Sequence, residues 1–132
     1  MATSNLLGIS PDSQVAGAAV TNARVVKQNS TTAEQVIHTA AITDAAVGVS
    51  LNTAATGELV AIQKLGRAKI TAAAAISVGD EVSPNSADGG KIITSSGATA
   101  RSIGIAREAA GADGDIIAVD LFTPALKGPP NA

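Results

Sequence analysis

Residues Val47 to Ile62 read VGVSLNTAATGELVAI, and residues Ile103 to Val119 read IGIAREAAGADGDIIAV. The two stretches say nearly the same thing. Val47-Gly48-Val49-Ser50 corresponds to Ile103-Gly104-Ile105-Ala106, and Gly57-Glu58-Leu59-Val60-Ala61-Ile62 corresponds to Gly114-Asp115-Ile116-Ile117-Ala118-Val119. The second copy carries one extra residue in its connection. Each copy is a β-branched run holding a glycine, a small or polar loop, a Gly-acid pair and a second apolar run. That order signals strand, turn, strand. Two such units are expected to pack as pseudo-symmetric halves of one small barrel, each covering the other's apolar face.

Outward from the repeat, the same texture continues. VTNARVVKQ at 20–28, EQVIHTA at 34–40, ELVAIQKL at 58–65 and RAKITAAA at 67–74 are strand candidates, with Gly66 expected to turn a hairpin between the last two. Gly79-Asp80 precedes another short strand, and Asp88-Gly89-Gly90 reads as a tight hairpin ahead of KIITSS. Short strands with glycine-rich turns at roughly 8–12 residue spacing argue for an all-β fold, a small β-barrel or β-sandwich with at most one short helix. The helix candidates are ITAAAAIS and REAAGAD, both short. An extended arm is expected over residues 1–19, a β domain over 20–122 and a proline-rich tail over 123–132.

Composition limits the core. Among 132 residues there is no Trp, Tyr or Cys and a single Phe, Phe122, while 45 % are hydrophobic. Alanine supplies a large share of these, and small side chains bury little apolar area each, at about 25 cal/mol per Å². A core of Val, Ile and Ala gains from subunit contacts, so oligomerisation is expected. A net charge of −2 and a pI near 5.2 give no electrostatic footprint for nucleic acid or for an anionic membrane. Without aromatics there is no stacking platform for single strands. The absence of Cys excludes disulfides and thiolate metal sites. The first twenty residues lack the basic and apolar regions of a signal peptide, and no run reaches transmembrane length uninterrupted. The expectation is a soluble product of the cytoplasm.

Catalytic and metal chemistry is thinly provided for. His38 is the sole histidine and sits in a strand pattern; Glu34 and Asp44 are near in sequence, but nothing resembles a nucleophile elbow. Asp113 and Asp115 flank Gly114 and Asp88 precedes Gly89, yet the ligand spacing of a calcium loop is missing. Turn chemistry accounts for these residues. No phosphate-binding glycine motif is present. Lys64, Arg67 and Lys69 alternate around Gly66 and are read as the solvated face of a strand, or as a small positive patch for an acidic partner. Lys91 lies near a hairpin, as the modified lysine of biotinyl and lipoyl carrier domains does, but DGGKIIT does not match their motif. No catalytic residue, cofactor or metal is therefore expected.

The order of motifs is more telling than any one of them: VGVS, a loop and GELVAI, a basic strand, AISVGDEVSPNSADGGKI, then SIGIA, a loop and GDIIAVDL. Over about residues 20–122 this resembles the small Ala/Gly/Val-rich capsid decoration (cement) proteins of tailed bacteriophages. The resemblance implies a compact β domain, commonly a homotrimer, made in the host cytoplasm. It would sit on the outer surface of an icosahedral head and reinforce it after expansion, with the major capsid protein as partner. Leu6, Leu7 and Ile9, apolar residues in a polar arm, are the expected capsid contact. Ile116, Ile117, Val119 and Phe122 are the expected subunit interface. A phage tail or fibre β module and a small carrier or ligand-binding barrel are the competing readings.

Overall fold

A computed structural model describes residues 12–85, 89–96 and 100–121. Leu6, Leu7, Ile9, Asp88 and Phe122 lie outside that set. Ten strands follow one another: β1 (Asp12–Ala16), β2 (Val25–Gln28), β3 (Gln35–His38), β4 (Ala46–Ser50) and β5 (Leu59–Gln63), then β6 (Gly66–Thr71), β7 (Glu81–Pro84), β8 (Ile92–Thr94), β9 (Gly104–Ala106) and β10 (Ile116–Leu121). There is no helix among the described residues. The fold is all-β, and both helix candidates resolve into strand ends, bridges and turns.

The first five strands close a barrel in the order β1-β3-β2-β4-β5, with β1 antiparallel to β5 and parallel to β3. The last five form a sheet in the order β6-β10-β9-β7-β8. If β6 to β10 are matched one for one to β1 to β5, the cyclic order is the same. The parallel seam that closes the barrel at Ala16↔Val36 reappears in the second sheet as a single bridge, Ala72↔Ile92.

The duplication therefore reaches well beyond the two segments legible in the sequence. Val20 bridges Ala54, and Ile76 bridges Ala110. Gly57 donates its amide to the Ala16 carbonyl, and Gly114 donates to that of Ala72. Thr39 donates to Val25 and Ser95 to Glu81; Asn29 donates to Gln35 and Asn85 to Lys91. Gly57 and Gly114 have φ of 90° and 98°, a left-handed turn that side chains with a Cβ adopt only at a cost. These backbone bonds, absent from any side-chain pattern, tie the whole of residues 15–63 to a replica over 71–120.

Three sequence expectations change in consequence. The repeat arms do not pack as halves of one barrel: β4 and β5 pair within the first barrel, β9 and β10 within the second sheet. Lys64 to Gly66 is not a hairpin turn. β5 pairs with β1 and β4, β6 with β10, and Gly66, at φ 89°, carries the chain from one unit to the next. Residues 12–16, expected as part of the extended arm, are strand β1. DSQVA has no apolar alternation to announce it, and pairing on both sides holds it in place.

Two apolar clusters fill the molecule. Ala16, Val20, Val26, Val36, Ala54, Val60 and Ile62 occupy the first barrel. The second cluster joins Ile70, Val82, Ile92, Ile117 and Val119 to Val25 and Val49 of the first unit. Val25 faces Val49 across β2 and β4, so the outer surface of the first barrel packs against the second sheet. Backbone bonds seal this junction: Val25 donates to Gly90, Gly90 to Thr39, and Thr71 to Ala23.

Candidate interaction surface

His38, Asp44, Asp113 and Asp115, singled out in the sequence, are engaged in structure. His38 Nε2 accepts a bond from the Thr21 amide at 3.0 Å. Asp44 accepts from the amides of Ala40 and Ala41 and from Lys27 Nζ, at 2.7, 2.9 and 3.0 Å. Its burial favours the neutral acid, but the Ala40 amide, the Lys27 ammonium and the Ala41 amide outweigh that and hold the carboxyl below its usual range. Asp115 closes its own turn by accepting from Gly111 and Ala112, while Asp113 pairs with Lys91 Nζ at 2.9 Å. Among the described residues no three His, Cys, Asp or Glu side chains gather as a metal site would require.

The basic residues around Gly66 separate. Lys64 joins Gln14, Gln28, Val36, Val47 and Ile62 around a shallow pocket on the first barrel. Arg67 and Lys69 lie on the outer face of β6, where Arg67 pairs with Asp120 at 2.9 Å and Lys69 with Glu108 at 3.0 Å. Arg107 approaches the second oxygen of Asp120 at 3.6 Å. The hydrogen bond from Arg67 lowers the affinity of Asp120 for a proton, and that from Lys69 does the same for Glu108. A face with three cations and two carboxylates is thus largely self-neutralised.

Of the residues expected at a subunit interface, Ile117 and Val119 point inward and are 2 % and 0 % exposed. Alternation along β10 leaves Ile116 outside at 54 %. Only Ile116 of these three can offer its side chain to a neighbour.

The corresponding residue of the first unit was missed. Leu59 is 65 % exposed and Leu51 40 %. Val60 and Ile62 face the barrel interior, so Leu59 and Ala61 must face out. Val15 lies directly opposite Leu59, and Ser13 opposite Ala61, on the same outer face. Leu51 donates its amide to Ala61 and completes the row. In the replica, Leu51 is replaced by Arg107, Ser13 by Lys69, Val15 by Thr71 and Gln63 by Asp120. One outer face, built twice, is uncharged in the first unit and charged in the second.

Asn52 and Glu108 show how little backbone difference accompanies that change. Asn52 Oδ1 accepts the Ala61 amide at 2.8 Å, and Glu108 Oε1 accepts the Ala118 amide at the same distance. The scaffold is shared and only its coating differs.

The two-unit architecture has a solved counterpart. The N base of the head fiber protein, described as "The crystal structure of head fiber gp8.5 N base in bacteriophage phi29", superposes with a TM-score of 0.70. It is 18 % identical, and the match covers 86 % of this chain and 94 % of that one, which establishes a common fold. Among curated proteins none matches this sequence. The family described as phage cement protein matches residues 8–121, a span that contains both units and the whole exposed row. The chain belongs to the phage cement protein family.

Proposed function

We propose that this protein binds the outer surface of an icosahedral phage head as a homotrimer and stabilises the head after expansion, by binding without turnover. Membership of the cement family over both β units is the observation that carries the reading. The chemistry of the surface agrees with it. Among the described residues Asp44 and Asp115 close turns and Glu108, Asp113 and Asp120 pair with cations, roles that belong to the fold.

A staple of this kind works by mass action. It stabilises the assembled lattice because it binds that lattice and not the separated capsid subunits. Three copies joined together engage neighbouring capsomers at once, so individually weak contacts add through a high effective concentration. Leu6, Leu7 and Ile9 are proposed as the part that reaches the major capsid protein, by adding an extended segment to it. The test is co-sedimentation with expanded heads, using the full chain and a variant lacking residues 1–11. The deletion stops short of β1, so the barrel closes as before. Loss of co-sedimentation with an unchanged circular dichroism spectrum is expected; unaltered binding would remove the arm from the mechanism.

The likeness to a head fiber base favours one second reading, a base on which a fibre is mounted. Copy number separates the two. A staple that reinforces the whole lattice has to occupy every equivalent site, whereas a fibre base does not. Quantifying bound protein per head at saturation decides between them.

A further inference from the structure

We infer that the uncharged row on the first barrel, Val15, Leu51, Leu59 and Ala61, is where a second copy of this chain packs. The inference rests on the proposed homo-oligomer and locates its contact.

The duplication supplies an internal control. Residues on the two outer faces occupy matching places on the same backbone. The second face has Lys69, Arg107, Glu108 and Asp120 where the first has Ser13, Leu51, Asn52 and Gln63, and the ion pairs among these cover Ala118, which is 6 % exposed. The charged groups of the second face already have partners within the chain, and packing a copy over them would take those ion pairs out of water at a desolvation cost. The first face has no charge in its row to desolvate.

Continuity points to the same occupant. Val49 and Leu51 belong to one segment, two residues apart. Val49 is fully covered by the second sheet of the same chain, while Leu51 is left open. The row thus extends a surface that already packs against a β unit of this sequence. Exposed apolar side chains gathered in one strip mark such an interface.

The experiment compares native masses of the full chain, Leu59→Glu, the double variant Leu51→Lys with Leu59→Glu, and Ile116→Glu. Native mass spectrometry suits it, or sedimentation with interference optics, since the chain has no Trp or Tyr to absorb. All the substituted side chains are exposed, and circular dichroism confirms that each variant keeps its fold. The unaltered chain and Ile116→Glu should remain oligomeric. Both Leu59 variants should fall to the mass of one chain, 12.8 kDa. A monomeric unaltered chain, a Leu59→Glu oligomer, or dissociation by Ile116→Glu alone would each overturn the inference. Binding to expanded heads is read separately. A Leu59→Glu protein that stays oligomeric but no longer binds heads would make the row a capsid contact, sinking this inference while leaving the cement reading intact. Normal oligomers that never bind heads would do the reverse.

Discussion

Gly48 and Gly104 occupy the same place in the two units, each where a short strand crosses the carbonyl edge of the strand that closes the repeat. A Cβ on Gly48 would collide with Ile62 Cγ2 and sit 2.7 Å from the Gln63 carbonyl oxygen. A Cβ on Gly104 would collide with the Asp120 carbonyl oxygen and sit 2.9 Å from Val119 Cγ1. The neighbours correspond as well as the glycines, so the packing reason for the glycine was duplicated together with the strand.

Substitution by alanine should therefore hurt both units in the same way. Gly48→Ala and Gly104→Ala are each expected to cost about 1–3 kcal/mol, because the intruding methyl meets backbone that cannot rotate aside. Gly57→Ala and Gly114→Ala have open space around the new methyl and lose only the left-handed preference, about 1–2 kcal/mol. Thermal unfolding followed by circular dichroism ranks the four; a Gly48 variant as stable as the native chain would refute the crowding argument.

Asn52 holds the Ala61 amide at the side of β5. Asn52→Ala leaves that amide without its acceptor and should lower stability by about 1 kcal/mol, whereas Asn52→Asp retains the acceptor oxygen, loses only the weaker Nδ2 bonds to the Thr53 and Leu59 carbonyls, both 3.3 Å, and should cost less. Urea midpoints at constant m-value measure the difference. Equal losses in the two variants would mean that the carbonyl oxygen is not what matters.

The junction between the units depends on Val25 and Gly90. Val25→Ala removes two methyl groups from a site with no exposure and should cost about 2 kcal/mol. Gly90 has φ of 70° and its added Cβ would strike the Val25 carbonyl oxygen, so Gly90→Ala should separate the units rather than soften one of them. A single cooperative transition in the native chain and two in Gly90→Ala is the expected calorimetric result. One undiminished transition would show that the junction tolerates the change.

Asp44, Glu108 and Asp120 all hold their protons less tightly in the folded chain. A carboxyl whose folded value is depressed adds stability above its unfolded pKa, about 4, and that contribution is lost as the pH falls through the folded value. Stability should thus be level from pH 7 to about 5 and decline below 4. Asp44 is the least exposed of the three, so Asp44→Asn should shrink the acid-side decline more than Asp120→Asn does. Chemical unfolding at stepwise pH provides the curve; identical slopes for Asp44→Asn and the native chain would exclude Asp44 as a source.

Much of this molecule was legible in its residues. Alternation in Val60-Ala61-Ile62 and in Ile117-Ala118-Val119, with Gly57 and Gly114 ahead of each run, defined strands and turns because side-chain direction has period two and a left-handed turn favours glycine. The same alternation could have separated outward Leu59 and Ile116 from inward Val60 and Ile117. The expected interface instead grouped Ile116 with Ile117 and Val119, by hydrophobicity alone.

The sequence by itself determined an all-β chain, a repeated strand–turn–strand unit and a family resemblance that the match over residues 8–121 makes a membership. Only the tertiary structure decided that each repeat arm belongs to a different sheet, that DSQVA is a strand, and that the duplication spans nearly the whole described chain. The reason is physical. Local periodicity records which way a side chain points. Which strands become neighbours is recorded in backbone hydrogen bonds such as Gly57 to Ala16 and Gly114 to Ala72, and these leave no mark on side-chain identity. The contrast between the Leu59 row and its charged replica likewise emerges only once the two faces can be laid over one backbone.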